Sequence, residues 1–314
     1  MSKKIKIVFW GTPQLSLPIL SSLLADSDLK IVGVVTNPDK PHGREKELTP
    51  SPTKVFAQNQ GLAVYTPTTL KDNRFLPELT DLNPDICVVI AYGKIIPDSY
   101  LNIPRWGFIN IHPSLLPKYR GPSPIQTAIL NGDSETGISI IRLDSETDHG
   151  PILDQGKISI GPDMTSADLT EKLIALGAKL IGPTLKRYAQ NELTPVIQNH
   201  AQASFTRKID FSAGRIDWFQ TGQKIVNQIR ALGLEPGVWT TDPEGQILKI
   251  LKARLTPTIA PGKPGQIIRT EDNLAVSAQD YLIEIEKIQP SGRKVLSGKE
   301  FINGYTGLIG KFLK

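Results

Sequence analysis

The sequence predicts an α/β protein in two parts: a doubly wound domain on a parallel-rich sheet, then a smaller β-rich domain. Three observations carry that expectation. The chain has 314 residues, too many for one ordinary compact domain. Strand-like and helix-like segments alternate through its first two-thirds. Near Asn191 the rhythm changes to short strand-like runs punctuated by glycine and proline.

Each element follows from its local pattern. Ile5 to Trp10 is a compact apolar strand, and Gly11-Thr12-Pro13 turns into a helix bearing Leu15, Ile19, Leu20, Leu23 and Leu24. That turn stands where nucleotide-binding folds place a phosphate loop, but G-x-G-x-x-G is absent, so a plain strand-to-helix turn is the better reading. Ile31 to Val35 is the next strand. After the polar stretch Thr36 to Pro50, Ser51-Pro52 reads as a helix cap followed by a first-turn proline. Ala63 to Tyr65 is a short strand and Phe75 to Leu82 has helical spacing. Asp85 to Ala91 is almost wholly apolar, as expected of a strand buried on both faces. Phe108 to Ile111 and Ile138 to Leu143 read as strands, Pro124 to Leu130 and Thr165 to about Gln190 as helices. Residues 1–190 thus form the first domain, 191–205 a linker with little periodicity, and 206–314 the second. The second holds a helix from Trp218 to Leu232, then strands at Ile247–Leu255, Gly265–Arg269, Leu274–Val276 and Tyr281–Ile288, which suit a small β-barrel.

With 39% hydrophobic and 21% charged residues the chain has the profile of a soluble globular protein. No apolar run approaches the roughly 20 residues of a bilayer helix. The basic N-terminus leads into an apolar stretch too short for a signal peptide, so a first strand explains it better. The single cysteine, Cys87, lies in Ile86-Cys87-Val88-Val89-Ile90 and reads as a small buried hydrophobe, which implies a reducing cytoplasm. Residues 1–205 hold 20 Lys and Arg against 20 Asp and Glu, whereas residues 206–314 hold 16 against 11. The whole excess of +5 therefore sits in the last third. Ordinary solubility accounts for it as well as a polyanionic partner does.

The chemistry concentrates in Asn110-Ile111-His112-Pro113-Ser114-Leu115-Leu116-Pro117-Lys118-Tyr119-Arg120-Gly121. Asn110 and His112 are two apart on a strand, so they share one face. They stand at its carboxyl end, the edge where open α/β sheets bind ligands. Either residue alone is as well explained as a satisfied structural side chain. The pair, followed by a proline-braced loop, points to an active site. A second polar cluster, Asp144 to Gly150, follows the Gly137–Leu143 strand, from which Asp148 is expected to reach His112.

These motifs resemble the folate-dependent formyltransferases, through Asn110-x-His112, Ser114-Leu115-Leu116-Pro117 and Asp148-x-Gly150. Within that family the sequence is similar to the branch that formylates initiator methionyl-tRNA. The narrower likeness rests on Gly11-Thr12-Pro13, Asn37-Pro38-Asp39-Lys40-Pro41-x-Gly43-Arg44, Pro50-Ser51-Pro52-x-Lys54, Gly214-Arg215-Ile216-Asp217-Trp218 and Pro236-Gly237. The resemblance spans nearly the whole chain. It implies a Rossmann-like catalytic domain and an OB-like barrel that helps hold tRNA. It implies 10-formyltetrahydrofolate as formyl donor, methionyl initiator tRNA as acceptor, no metal and a monomer. Asn110 would donate to the oxygen that gains charge, His112 would stabilise that charge or move protons, and Asp148 would orient His112 and keep it charged. Ser114, Leu115, Leu116 and Pro117 would border the folate, and Arg44, Lys40 and Lys54 would meet the tRNA. The pattern departs from the family at Pro113 and His149, where a small residue and Thr are usual. The 37–48 loop is also charge-balanced, since Asp39, Glu45 and Glu47 oppose Lys40, Arg44 and Lys46. His42 and His200 read as solvated.

Two alternatives stand beside this reading. One is a formyltransferase for an amino sugar or glycinamide nucleotide, against which the basic second domain and the Pro-Asp-x-Pro loop argue. The other is a non-catalytic RNA- or folate-binding protein, for which the full set Asn110, His112 and Asp148 would be unnecessary.

Overall fold

The structure, a computed structural model, describes residues 4–42, 47–233, 235–271 and 273–314. In chain order the elements are β1 (Ile5–Gly11), α1 (Leu17–Ala25), β2 (Leu29–Val35), β3 (Lys40–His42), β4 (Glu47–Thr49), α2 (Pro52–Asn59), β5 (Val64–Tyr65), α3 (Leu76–Asp81), β6 (Ile86–Ile90), α4 (Asp98–Leu101) and β7 (Phe108–His112). Then come α5 (Pro124–Leu130), β8 (Glu135–Arg142), β9 (Ile152–Ser159), α6 (Ser166–Ala189), α7 (Gly222–Leu232), β10 (Trp239–Thr241), β11 (Ile247–Ile259), β12 (Ile267–Arg269), β13 (Leu274–Ser277), β14 (Tyr281–Pro290), β15 (Leu296–Ser297) and α8 (Gly298–Gly304). Among the described residues no helix is long and apolar enough to cross a membrane.

The chain packs as two units. The first comprises residues 1–121, 135–159 and 170–205. Its sheet runs β5-β2-β1-β6-β7-β8-β9. The pairs from β5 to β7 are parallel, whereas β7–β8 and β8–β9 are antiparallel. As the punctuation predicts, Ser51 caps α2 by accepting from the Lys54 amide, with Pro52 in the first turn. On one sheet face Val8 and Trp10 of β1, Cys87 and Val89 of β6 and Phe108 of β7 are buried with Leu79, Tyr92 and Tyr100. Trp10 is the hub, its ring edge-on to Tyr92 at 5.1 Å, Phe108 at 5.4 Å and Phe75 at 5.9 Å. Burial pushes the Cys87 thiol up, with the Trp10 indole pulling the other way. The period of two puts Asn110 and His112 on this same face of β7, beyond the aromatic core. Ile111 points to the opposite face and meets α6 at Gly177, where an added Cβ would stand 3.3 Å from the Ile111 side chain. Close helix packing behind β7 therefore holds the strand that carries the two polar residues.

Residues 191–205, expected to be a linker, pack as part of this first unit. Val196 and Ile152 exchange both backbone hydrogen bonds at 2.8 Å, and the Arg120 amide donates to Ser204 O at 2.8 Å. The stretch lacks periodicity because its anchors are backbone groups and scattered polar side chains, the buried Gln198 among them, and no apolar face.

The second unit comprises residues 122–134, 160–169 and 206–314, so it draws in two stretches that the sequence places with the first domain. Its antiparallel sheet runs β10-β11-β14-β13-β12, with β15 beside β14. The strands expected there all form. Its helix α7 buries Ile225, Ile229 and Leu232 and packs against β11, β14 and α5. Arg230 of α7 donates to the carbonyls of Gly161 and Met164 at 3.1 and 3.0 Å. At the chain end Lys314 and Thr241 exchange backbone bonds, while Gly310 and Lys311 bond Ile267 of β12. The last residues thus join the sheet's two edge strands, β10 and β12, as a small barrel requires.

Candidate active site

Three side chains that the sequence singles out converge in the first unit. Asp148 Oδ1 lies 3.3 Å from Asn110 Nδ2 and 3.4 Å from His112 Nδ1. The other carboxylate oxygen, Oδ2, accepts the Gly121 amide at 2.8 Å. The approach differs from the expected one. β8 runs antiparallel to β7, so its end lies beside the start of β7, where the Leu143 amide donates to Phe108 O. The Asp144–Gly150 connection therefore folds back over the sheet face to reach Asn110 and His112. Asp148 adopts a left-handed backbone, φ 49°. Gly150 is required in the return, since a Cβ there would collide with the Arg142 carbonyl oxygen.

His112 is buried, and its Nε2 lies 2.9 Å from Tyr119 O. A carbonyl only accepts, so Nε2 carries a hydrogen. Nδ1 faces a carboxylate, which also only accepts when ionised. The Tyr119 partner is absent from any sequence pattern, because it is a backbone carbonyl turned inward at a residue with φ 62°. Asn110 commits one amide hydrogen towards Asp148; among the described residues the other meets no acceptor.

The loop after His112 is fastened from beneath. Ser139 of β8, opposite His112 in register, donates to Ser114 O at 2.6 Å and accepts from the Leu116 amide at 3.0 Å. Gln155 of β9 donates to Ser139 Oγ and Leu116 O at 2.7 and 3.1 Å. Ser114 and Leu116 are buried, and Ser114 Oγ donates to Lys118 O at 2.6 Å. Of the four residues expected to border the folate, these two build the loop, while Leu115 and Pro117 remain half-buried. Ser139 and Gln155 carry no motif. They became visible once β8 and β9 were paired.

Two histidines have more partners than their sequence positions suggest. His149 Nδ1 lies 2.6 Å from Asp144 Oδ2, and its ring stacks on His200 at 4.0 Å. His200, read as solvated, is exposed but receives Arg120 Nη2 on Nδ1 at 2.8 Å. Among the basic residues expected to meet RNA, Lys54 Nζ sits 2.9 and 2.8 Å from the two Asp39 oxygens. Its charge is compensated and it braces the root of the β3–β4 hairpin. Lys40 lies on β3, and Arg44 falls outside the described residues. Among the described residues no group of three or more His, Cys, Asp or Glu could hold a metal ion.

Comparison with known proteins identifies the family of the chain and its fold. The formyl transferase family profile matches residues 3–184, and the formyl transferase C-terminal domain profile matches residues 208–306. The chain is 43% identical over 301 residues to methionyl-tRNA formyltransferase of Roseiflexus castenholzii, covering 96% of both chains. It is 40% identical over 309 residues to that of Methylococcus capsulatus, covering 98% of this chain and 99% of the other. The fold is shared with an N-formyltransferase from Helicobacter canadensis solved with folinic acid and dTDP-3-aminofucose. That match has a TM-score of 0.69 at 24% identity, covering 91% of this chain and 99% of that one. Full-length identity at this level, with both domain profiles in order, places the chain in the methionyl-tRNA formyltransferase family of formyl transferases.

Proposed function

We propose that the chain transfers the formyl group of 10-formyltetrahydrofolate to the amino group of methionyl initiator tRNA. The observation that carries the reading is Asp148 Oδ1, placed 3.3 Å from Asn110 Nδ2 and 3.4 Å from His112 Nδ1 on one sheet face. The acceptor follows from the relatives' shared name. In the transfer the amine lone pair bonds to the formyl carbon while the carbonyl electrons move onto oxygen. Their return breaks the bond to the folate nitrogen, which leaves with a proton as the amine gives one up. Asn110 offers its uncommitted amide hydrogen to the charged oxygen. His112, placed between Asp148 and Tyr119 O, is positioned beside that oxygen to stabilise it. A proton can pass through His112 once its Nε2 exchanges Tyr119 O for the reacting group. The half-buried Leu115 and Pro117 and the fastened backbone of residues 114–117 offer a fixed wall for the folate.

RNA is held, in this reading, by Lys40 and Arg44 and by the basic residues of the 206–314 segment, with the protein acting as a monomer in the cytoplasm. Mixing the protein with 10-formyltetrahydrofolate and charged initiator tRNA should yield formyl-methionine on the tRNA. Transfer to an amino-sugar or glycinamide nucleotide, with none to the tRNA, would move the chain to another branch. Binding of folate and RNA without any transfer would remove the catalytic reading.

A further inference from the structure

We propose that Gln198 is a positioning residue for Asp148, backed by Arg120, and that turnover depends on its two amide hydrogens. The proposal rests on the reading of Asp148 given above. Gln198 lies in the stretch that looked like a linker, yet it is 4% exposed. Its neighbour Val196 is paired with Ile152, which fixes the main chain two residues away. The side chain faces two kinds of partner. Arg120, itself buried, sends Nε and Nη2 to Gln198 Oε1 at 3.1 and 2.7 Å. On the other side Gln198 Nε2 reaches Asp148 O and Gly150 O, both at 2.8 Å.

This arrangement settles which amide atom is which. A guanidinium has only donors, so the oxygen must face Arg120; carbonyls have only acceptors, so the NH₂ must face Asp148 and Gly150. Both amide hydrogens are then used, and the amide cannot rotate without breaking several bonds at once. The two carbonyls it grips bracket His149 and belong to the turn in which Asp148 takes its left-handed backbone. Gly121 meanwhile holds the carboxylate through Oδ2. Main chain and carboxylate are thus fixed separately, and Oδ1 is left aimed at Asn110 and His112. A carboxylate displaced by about 1 Å costs on the order of a hundredfold in such a site.

The test uses Gln198→Glu, which keeps the length and the acceptor towards Arg120 but replaces both donors with an oxygen that repels the two carbonyls. Formyl transfer from 10-formyltetrahydrofolate to charged initiator tRNA should show kcat lowered by roughly 10–100-fold, with KM for both substrates within about twofold of wild type. Hydrogen exchange at the Gly121 amide should accelerate, because its acceptor on Asp148 has moved. In an Asp148→Ala background the same substitution should cost less than about twofold further, since residues acting through one group do not add. Gln198→Met, which keeps the stem and has no donors, carries the same expectations where the charged variant does not fold. Wild-type kcat and unchanged Gly121 exchange in the Gln198 variants, with Asp148→Ala inactive, would overturn the proposal and leave the catalytic reading of Asp148 intact. Fully multiplicative losses in the double variant would also overturn it. Wild-type turnover in Asp148→Ala would instead overturn the reading on which the proposal rests.

Discussion

In the first unit His112, Ser139, Arg120 and Gln198 are buried, and each meets partners of fixed donor or acceptor type. In the second, the charges of the two long strands lie on an open sheet face: Lys252 with Glu286 at 2.7 Å and Arg254 with Glu284 at 2.7 Å, the basic partners more than half exposed. The physics of the two settings differs. A buried polar group that loses its partner keeps the full desolvation penalty, so the first unit's network is rigid and intolerant. Exposed ion pairs contribute roughly 0–1 kcal/mol and are screened by salt, so the second unit's charges can be rearranged at little cost. One unit is suited to holding atoms in place, and the other can vary its surface charges at little cost to stability.

The largest effect should come from breaking the rigid side. Asn110→Ala should slow turnover by roughly 10²–10³-fold, the usual loss for one donor to a developing oxyanion, with folate affinity near normal. His112→Ala should be at least as severe. Steady-state kinetics on both variants checks this, and near wild-type turnover in either would erase the distinction between the units. His112→Ala combined with Asp148→Ala should be little worse than the worse single change, because the two act as one group.

A middle-sized effect should come from the open side. Lys249 and Lys287 are exposed on β11 and β14, and neither has an ion pair among the described residues. Reversing both to Glu should weaken tRNA binding and flatten its salt dependence, by roughly 0.7–0.9 in slope for each phosphate left without its cation. Folate binding should not change. This design is preferable to cutting the chain near Ala203, because residues 122–134 and 160–169 pack with residues 206–314. Truncation would strip α5 of its α7 partner and confuse impaired binding with impaired folding.

The smallest effect tests the second unit's stability alone. Ser297 and Glu300 form a reciprocal capping box at the start of α8. Ser297→Ala should cost about 1 kcal/mol of unfolding stability, readable as a lower thermal midpoint. The Ser297 backbone amide and then its hydroxyl hold the Glu300 carboxyl below its usual range. A depressed carboxylate contributes above its unfolded value and loses that contribution as pH falls through its folded one. The deficit of Ser297→Ala should therefore shrink in acid. A constant deficit would mean that the bond from the Ser297 hydroxyl to the Glu300 carboxylate contributes nothing, since the backbone amide keeps its bond in the variant.

Much of this architecture was legible in residue patterns, and the exceptions have physical causes. The continuous apolar run of β6 and the helical spacing of α6 announced themselves because burial on both faces, or on one stripe, demands them. β9 did not, because Ile152-Leu153-Asp154-Gln155-Gly156-Lys157-Ile158-Ser159 is an edge strand in which only Leu153 is buried, so it carries no continuous apolar run. The β3–β4 hairpin escaped for the same reason: its second strand is wholly exposed. At the site, Asn110, His112 and Asp148 were readable from residue type and spacing. Tyr119 O, Ser139, Gln155 and Gln198 were not, since a backbone carbonyl has no sequence signature and an isolated Ser or Gln has no periodicity.

By itself the sequence determined which faces are apolar, where strands and helices begin, and that Asn110 and His112 share a face, because these follow from periods of 2 and 3.6 along one chain. Tertiary structure alone decided that β8 turns antiparallel, that Asp148 arrives by folding back over the sheet, and that residues 191–205 brace the site. It also decided that α5 belongs with α7. Those outcomes depend on which distant donor meets which acceptor, and on which apolar faces cover one another. Pairings of that kind form between segments tens of residues apart, where no local pattern can record them.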